Sequence, residues 1–463
     1  MRWIMFSASL LAVSLGLSGA VGAASADPAS ASTNANGWSS QSLRVVGSPV
    51  VVDHMVVVLN VTSQHELEIS AVEPSSGSVA WSHPYSASLI TPGVAFTPIA
   101  IGNTVLVLLP AHGSNNPSVS VEGVDAGTGK RLWAVPQPLV LSDAPVVCAT
   151  GQYFCIPTYA SASSTGLVAL NPLTGAVTGT VQGPLRNMAV VPPGSLNDSD
   201  LWQTNASAPT LMQTSATGQQ VWTQTIASLF GGSQFNPNYG WDFVVNSQLD
   251  IGSVGVAPIG KTEPLDGFKT LGISTSTGSV VWSMPGYLFC GGALQFLTAD
   301  ILCQYVGSAH SNGTKETMPG VKLTLEGLNP ISGATTWTKQ VQDAQALSLG
   351  TNIAFRDGTH IVVQPLVGKR VVLDVVDANI TPVSANEVFW CEQVPTYKLN
   401  TPKGASEKGV RVSTPVFRAC SADGKPVAGL PPTSPSTVGV SVDGLFIWPT
   451  PVGLQATRQP VSP

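Results

Sequence analysis

From Ser42 onward the chain alternates short apolar runs with clusters of Gly, Pro, Ser, Thr and Asn. Segments such as Glu66–Val72 (ELEISAV) and Ser118–Val124 (SVSVEGV) place apolar side chains at every second residue. That period puts them on one face of an extended strand. Each such run ends at a cluster of turn-forming residues, after which a second short run begins. Strand, tight turn, strand is the pattern of antiparallel hairpins, so the sequence predicts an all-β protein.

One hairpin pattern recurs along the chain. Its copies are AVEPSSGSVAW ending at Trp81, GVDAGTGKRLW at Trp133, ALNPLTGAVTG at Gly179, MQTSATGQQVW at Trp222, GISTSTGSVVW at Trp282 and GLNPISGATTW at Trp337, with a weak seventh, ACSADGKPVA, around Gly424. In the first six, Gly77, Gly129, Gly175, Gly218, Gly278 and Gly333 each follow Ser or Thr. Four residues earlier stands Glu73, Asp125, Asn171, Thr214, Ser274 or Asn329. Five of the eleven tryptophans occupy one repeat position. A side-chain oxygen starts the turn by bonding the backbone two residues on, and Gly supplies the positive φ that ends it. The strand that follows carries Trp, whose body packs between sheets while its indole N–H finds an acceptor. The five tryptophans are therefore expected to be buried and equivalent.

Successive glycines lie 52, 46, 43, 60, 55 and then 91 residues apart. A four-stranded propeller blade takes roughly 40–50 residues. The last interval and the C-terminal strands STVGVSVDG, LFIWPTP and VGLQATR leave room for two further blades, and SLRVV near the N-terminus is expected to complete the last one. Eight blades are expected, with seven as the alternative; a linear β-solenoid or a row of sandwich domains fits the intervals less well. The domain is expected to span residues 41–460.

These copies resemble the PQQ-like propeller repeat family, whose unit is small–aliphatic–Asx–x–x–Thr–Gly–x–x–x–Trp. The resemblance covers roughly Leu43 to Ala428. It implies a β-propeller and leaves function open, because the family includes quinoprotein dehydrogenases, an envelope-assembly propeller and secreted binding proteins.

The remaining features narrow this choice. Residues 1–26 read as a secretory signal, with Arg2, an apolar run and an Ala24-Ser25-Ala26 cleavage site. Residues 27–40, small and polar, read as a disordered linker. No Cys follows the apolar run, which argues against a lipid anchor, and no later stretch is long enough to span a bilayer. A net charge of −6 argues against nucleic acid. A quinoprotein dehydrogenase would bring an adjacent Cys-Cys pair and metal-ligating carboxylates; the chain has neither that pair nor a run of closely spaced acids, so no cofactor or metal is expected. His54, His65, His83, His112, His310 and His360 show no metal-ligand spacing. The sequons at Asn60, Asn197, Asn205, Asn312 and Asn379 are read as idle in a bacterial protein.

Six cysteines behind a signal suggest three disulfides, with fifteen connectivities open. Hairpin geometry favours sequential pairs: Cys148–Cys155, Cys290–Cys303 and Cys391–Cys420. For the first, a two-residue turn at Gly151-Gln152 would set the cysteines directly opposite one another. Two segments depart from the repeat. Leu229–Asp250 gathers Phe230, Phe235, Tyr239, Trp241 and Phe243, while Thr396–Arg411 holds Lys398, Lys403, Lys408 and Arg411 and reads as a solvated loop. Tyr239 and Trp241 are the candidate binding residues, since aromatic anchors carry much of an interface's energy; the same aromatics also suit a blade core. The expected function is a secreted or cell-surface, non-enzymatic scaffold that binds a protein or cell-envelope component. The alternatives are a PQQ-dependent dehydrogenase and an envelope protein-assembly factor.

Overall fold

The computed structural model describes residues 32–34, 37–86, 97–110, 118–141, 144–148, 152–161, 164–184, 210–214, 220–236, 242–245, 249–288, 300–312, 315–348, 354–400, 410–433, 435–436 and 438–458. They are almost entirely strand and turn, with two five-residue helices, Ile226–Phe230 and Ala344–Ser348. The chain forms two compact units. One is built mainly on Leu196–Gln393 and Arg418–Thr437, the other on Leu10–Ser195, Val394–Phe417 and Val438–Pro463.

In the second unit the strands Arg44–Val52, Met55–Val61, Leu67–Val72 and Val79–Pro84 form a four-stranded antiparallel sheet in sequence order. Met55–Val61 is buried throughout, whereas in Val79–Pro84 only Trp81 is buried. Inner strands covered on both faces read as continuous apolar runs, and an edge strand needs one large side chain turned inward. The same meander is made by Val146–Val147, Phe154–Ser161, Ser164–Leu170 and Val177–Pro184. In the first unit it is made by Tyr287–Leu288, Ile301–Val306, Lys322–Leu328 and Thr335–Val341.

The repeat turns share one geometry. In each, the N–H of the residue four after the opening position donates to the opening carbonyl: Gly77 to Glu73, Gly129 to Asp125, Gly175 to Asn171, Gly278 to Ser274 and Gly333 to Asn329, all at 2.8–2.9 Å. These glycines have φ between 67° and 73°. Trp81, Trp133, Trp222, Trp282 and Trp337 are all buried, and each reaches the next turn. Their indole N–H groups donate to the carbonyls of Ala126, Pro172, Thr275, Pro330 and Val375, at 2.7 to 3.1 Å. The acceptor is always the residue after the opening position, whose carbonyl the turn leaves unused. At Gly179, which stands opposite Ala169, the third repeat has no indole. Gly218 lies outside the described residues.

Four expectations change. First, Gly37–Ser40 is not linker: it pairs with Gly453–Arg458 and extends the sheet of Val440–Val442 and Leu445–Thr450. The strand joining the chain's two ends is thus Gly37–Ser40, while Arg44–Val46 of SLRVV begins the first sheet. Trp38 explains the shift, being buried at 2% exposure with its indole donating to Pro74. It is a further repeat tryptophan, anchoring the segment where composition suggested disorder.

Second, the seventh turn is at Asp374, not Gly424. Ala378 takes the glycine's place at φ 61°, its N–H donates to Asp374 O at 3.0 Å, and Trp337 caps Val375. Around Gly424 the N–H bonds Ser421 O three residues back, a tighter turn. Third, the ladder sets Cys155 opposite Val146, and Cys148 N–H bonds Tyr153 O. The Cys148–Cys155 disulfide is therefore diagonal, with Cα atoms 5.1 Å apart. Cys391–Cys420 also forms, with Cα atoms 5.9 Å apart. Cys303 is disulfide-bonded too; Cys290 lies outside the described residues.

Fourth, the Thr396–Arg411 insert is in part built structure. Thr396–Leu399 pairs with Val410–Ser413, Leu399 and Val412 enter the core of the first sheet, and Asn400 N–H donates to His65 O at 2.8 Å. Lys398 is exposed, and Lys403 and Lys408 lie outside the described residues.

Candidate functional site

The repeat residues are spent on turns and sheet-to-sheet ties, so any site must be sought where the chain departs from the repeat. The connection between Met55–Val61 and Leu67–Val72 is short, closed by a Thr62–Glu66 turn. In the first unit two successive sheets lengthen the same connection. Between Leu249–Val256 and Lys269–Ser274 lie Thr262–Pro264 and the short 3-10 turn Leu265–Gly267. Between Ile301–Val306 and Lys322–Leu328 lie Ser308–Ser311 and Glu316–Thr317.

The two connections pair with each other. Thr262 faces His310, Glu263 faces Ala309 and Pro264 faces Ser308, while His310 and Ser311 in turn face Thr317 and Glu316. The result is a three-stranded sheet that the repeat does not require. Ala309 within it and Leu265 and Met318 beside it in sequence are buried, and Gln345 of the helix Ala344–Ser348 accepts from Met318 N–H at 3.1 Å. On its outer side the Thr262 hydroxyl and the His310 Nδ1 are 3.1 Å apart, and Ile259 is 81% exposed.

Glu263 is the unusual group. It is 7% exposed and its Oε1 has no hydrogen-bond partner. Burial, with a smaller push from Glu316, raises its carboxyl to about 7. Nearby, the buried Tyr305 hydroxyl is tied to Ser348 Oγ at 2.7 Å. No sequence signal singled out Glu263; a lone acid among Gly, Pro and Lys reads as loop.

A second cluster lies at the turn between Ala354–Phe355 and His360–Val363. Arg356 Nε donates to Glu387 Oε1 at 2.9 Å, and Glu387 Oε2 accepts from Ser384 N–H at 3.2 Å. The pair borders a surface cavity of about 630 Å³ that Thr381, Pro382 and Asn386 also line. His360 lies between Asp357, 2.9 Å from Nδ1, and Asp374, 3.6 Å from Nε2. Burial would raise the Asp357 carboxyl, but hydrogen bonds from Thr359 and His360 outweigh it and hold it low. The contact from this turn to Asp374 repeats one between Asn103 and Asp125, at 2.6 Å. It is therefore a turn-to-turn tie, and His360 is spent on it.

Of the candidate binding residues, Tyr239 and Trp241 lie outside the described residues. Two neighbouring aromatics are core: Phe230 is buried and Phe235 packs against the same cluster as Trp222 and Leu271. Among the described residues no group of three or more His, Cys, Asp or Glu could hold a metal ion. The Cys148–Cys155 and Cys391–Cys420 disulfides lie in two different sheets. No helix among the described residues is long and apolar enough to cross a membrane.

The family match agrees with the repeat. Residues 21–234 match the family described as outer membrane protein assembly factor BamB, and no curated protein matches. Among solved structures, BamB from Moraxella catarrhalis is 12% identical, with a TM-score of 0.31, covering 90% of this chain and 96% of its own. Quinohemoprotein alcohol dehydrogenase ADHIIG from Pseudomonas putida HK5 is 11% identical, with a TM-score of 0.36, covering 84% of this chain and 76% of its own. Saccharomyces cerevisiae Sqt1 is 9% identical, with a TM-score of 0.40, covering 84% of this chain and 96% of its own. Likenesses of this size specify neither ligand nor reaction.

Proposed function

We propose that this chain, which carries the PQQ-like propeller repeat and matches the BamB family over residues 21–234, is a non-catalytic, extracytoplasmic β-propeller that binds a protein or another component of the cell envelope. In this reading the meanders are blades of an eight-bladed ring, and Gly37–Ser40 completes the last blade. The disulfides suit an oxidising compartment, and the family description supports a protein partner.

The observation that carries the reading is the paired insert. Propeller strands are occupied with packing, so recognition falls to connections held on a rigid frame. Here two neighbouring connections lengthen and zip together, presenting Ile259, Thr262 and His310 outward. Among the described residues no group of three or more His, Cys, Asp or Glu could hold the calcium ion of a quinone-dependent dehydrogenase.

The test is quantitative capture of envelope components by the full chain, comparing wild type with Ile259→Asp and His310→Ala. Loss of roughly tenfold or more in capture, a change of about 1.4 kcal/mol, with an unchanged Tm supports the insert as the docking surface. Equal capture by all three chains removes it. Dye-linked oxidation of an alcohol after addition of PQQ and Ca²⁺ would favour the dehydrogenase alternative instead.

A further inference from the structure

We infer that the paired insert is a pH-gated element: with Glu263 protonated its two connections stay zipped, and ionisation of Glu263 opens them. The gating concerns the surface named above as the docking site, and its relevance to binding rests on that reading; the opening itself does not.

Glu263 is almost fully buried. Its strand, Thr262–Pro264, is joined to the rest of the molecule chiefly by three residue pairs with Ser308–Ser311. Directly opposite is Ala309, apolar and buried. From Glu316–Thr317 comes another carboxylate, Glu316, which disfavours a second negative charge. From Ile301–Val306 comes Tyr305, a neutral phenol whose hydroxyl is engaged with Ser348. Asp266 lies on the following 3-10 turn. On the outer side are His310, bonded to the Thr262 hydroxyl, and Lys261, whose carbonyl accepts from Ser311 N–H at 2.9 Å. Among the described residues no cation forms an ion pair with Glu263.

An acid so placed can stay buried only while neutral. An unpaired carboxylate in a low-dielectric site is costly enough that the group takes up a proton or the site admits water. Burial first, and Glu316 second, move the Glu263 carboxyl from its ordinary 4.5 to about 7. A raised carboxyl favours the closed state fully below its ordinary value. That advantage falls as pH rises and is lost on passing about 7. What yields is the weakest structure that buries the group, and three residue pairs between two connections are weaker than the six-pair ladder between Leu249–Val256 and Lys269–Ser274.

Amide hydrogen exchange on the full chain at pH 5 and pH 8 tests this, with rates referred to the unfolded chain to remove the intrinsic pH dependence. Peptides covering residues 262–264 and 308–311 should lose protection on the order of fiftyfold between the two pH values, while residues 249–256 and 269–274 keep theirs. Glu263→Gln should retain protection at both, and His310→Gln should leave the wild-type dependence in place. Equal protection of the wild-type insert at both pH values, or the same loss in Glu263→Gln, overturns the inference. If Glu263→Gln does not fold, carboxyl-carbon NMR on the wild type decides: a midpoint near 7 supports gating and one near 4.5 overturns it. Because no partner is present in either measurement, a negative result leaves the docking reading standing, while equal capture by Ile259→Asp would remove that reading alone.

Discussion

The indole of Trp81 lies flat against Gly129, a turn residue of the next repeat: a Cβ added at Gly129 would stand 2.5 Å from Trp81 Cγ. Gly175, Gly278 and Gly333 meet Trp133, Trp222 and Trp282 in the same way. Each turn glycine thus answers two demands at once, a positive φ and a flat seat for the preceding tryptophan.

The two demands separate by comparing two glycines. Gly129 has φ +67° and the indole above it, whereas Gly102 has φ +58° and nothing within 4 Å of its would-be Cβ. Gly102→Ala should cost about 1 kcal/mol, the backbone penalty alone. Gly129→Ala should cost about 3 kcal/mol, because overpacking adds to it. Urea denaturation of both variants checks this; equal costs would mean the indole contributes nothing.

Ala378 offers the reverse experiment. It holds φ 61° with a Cβ, a conformation that Gly adopts without penalty. Ala378→Gly should stabilise the protein by about 1 kcal/mol, read as a higher urea midpoint with the slope unchanged.

The two described disulfides close loops of different size, with sequence separations of 7 for Cys148–Cys155 and 29 for Cys391–Cys420. Chain entropy assigns about 2.5 kcal/mol to the first and about 3.6 kcal/mol to the second. The double variant Cys391→Ala/Cys420→Ala should therefore lower Tm more than Cys148→Ala/Cys155→Ala. Calorimetry of the two variants gives the order.

A second buried acid makes a separate pH prediction. Glu392, in the strand Phe389–Gln393, is 6% exposed, and burial pushes its carboxyl up to about 8. Its folded value is raised, so its contribution is complete below the ordinary 4.5 and disappears as pH rises through about 8. Wild-type stability should fall on the order of 5 kcal/mol from this group across that window. Glu392→Gln should flatten the alkaline arm. Tm against pH from 5 to 9 for both chains is the measurement, and parallel curves would refute the assignment.

Much of the fold is legible in the sequence, because its key contacts begin locally. An Asx-type residue, a Gly four positions on and a Trp four beyond that make a turn and an inward-facing ring whatever lies elsewhere. So the burial of Trp81, Trp133, Trp222, Trp282 and Trp337, and the turns at Gly77, Gly129, Gly175, Gly278 and Gly333, follow from those residues alone. Sequential cysteine pairing follows as well, since hairpin partners are close along the chain.

What tertiary structure alone decided is long-range. Trp38 sits in a run of small polar residues, and only pairing with Ala456, far along the chain, makes it a repeat tryptophan. Asp374 and Ala378 lack the Gly that marks their siblings, and only the arriving indole of Trp337 reveals the turn. The diagonal Cys148–Cys155 bond depends on a ladder register that composition does not encode. Above all, nothing local in Thr262–Pro264 or Ser308–Ser311 says that they meet. Each is a short polar connection by itself, and the site with Glu263 at its centre exists because two neighbouring sheets bring the connections within hydrogen-bonding distance.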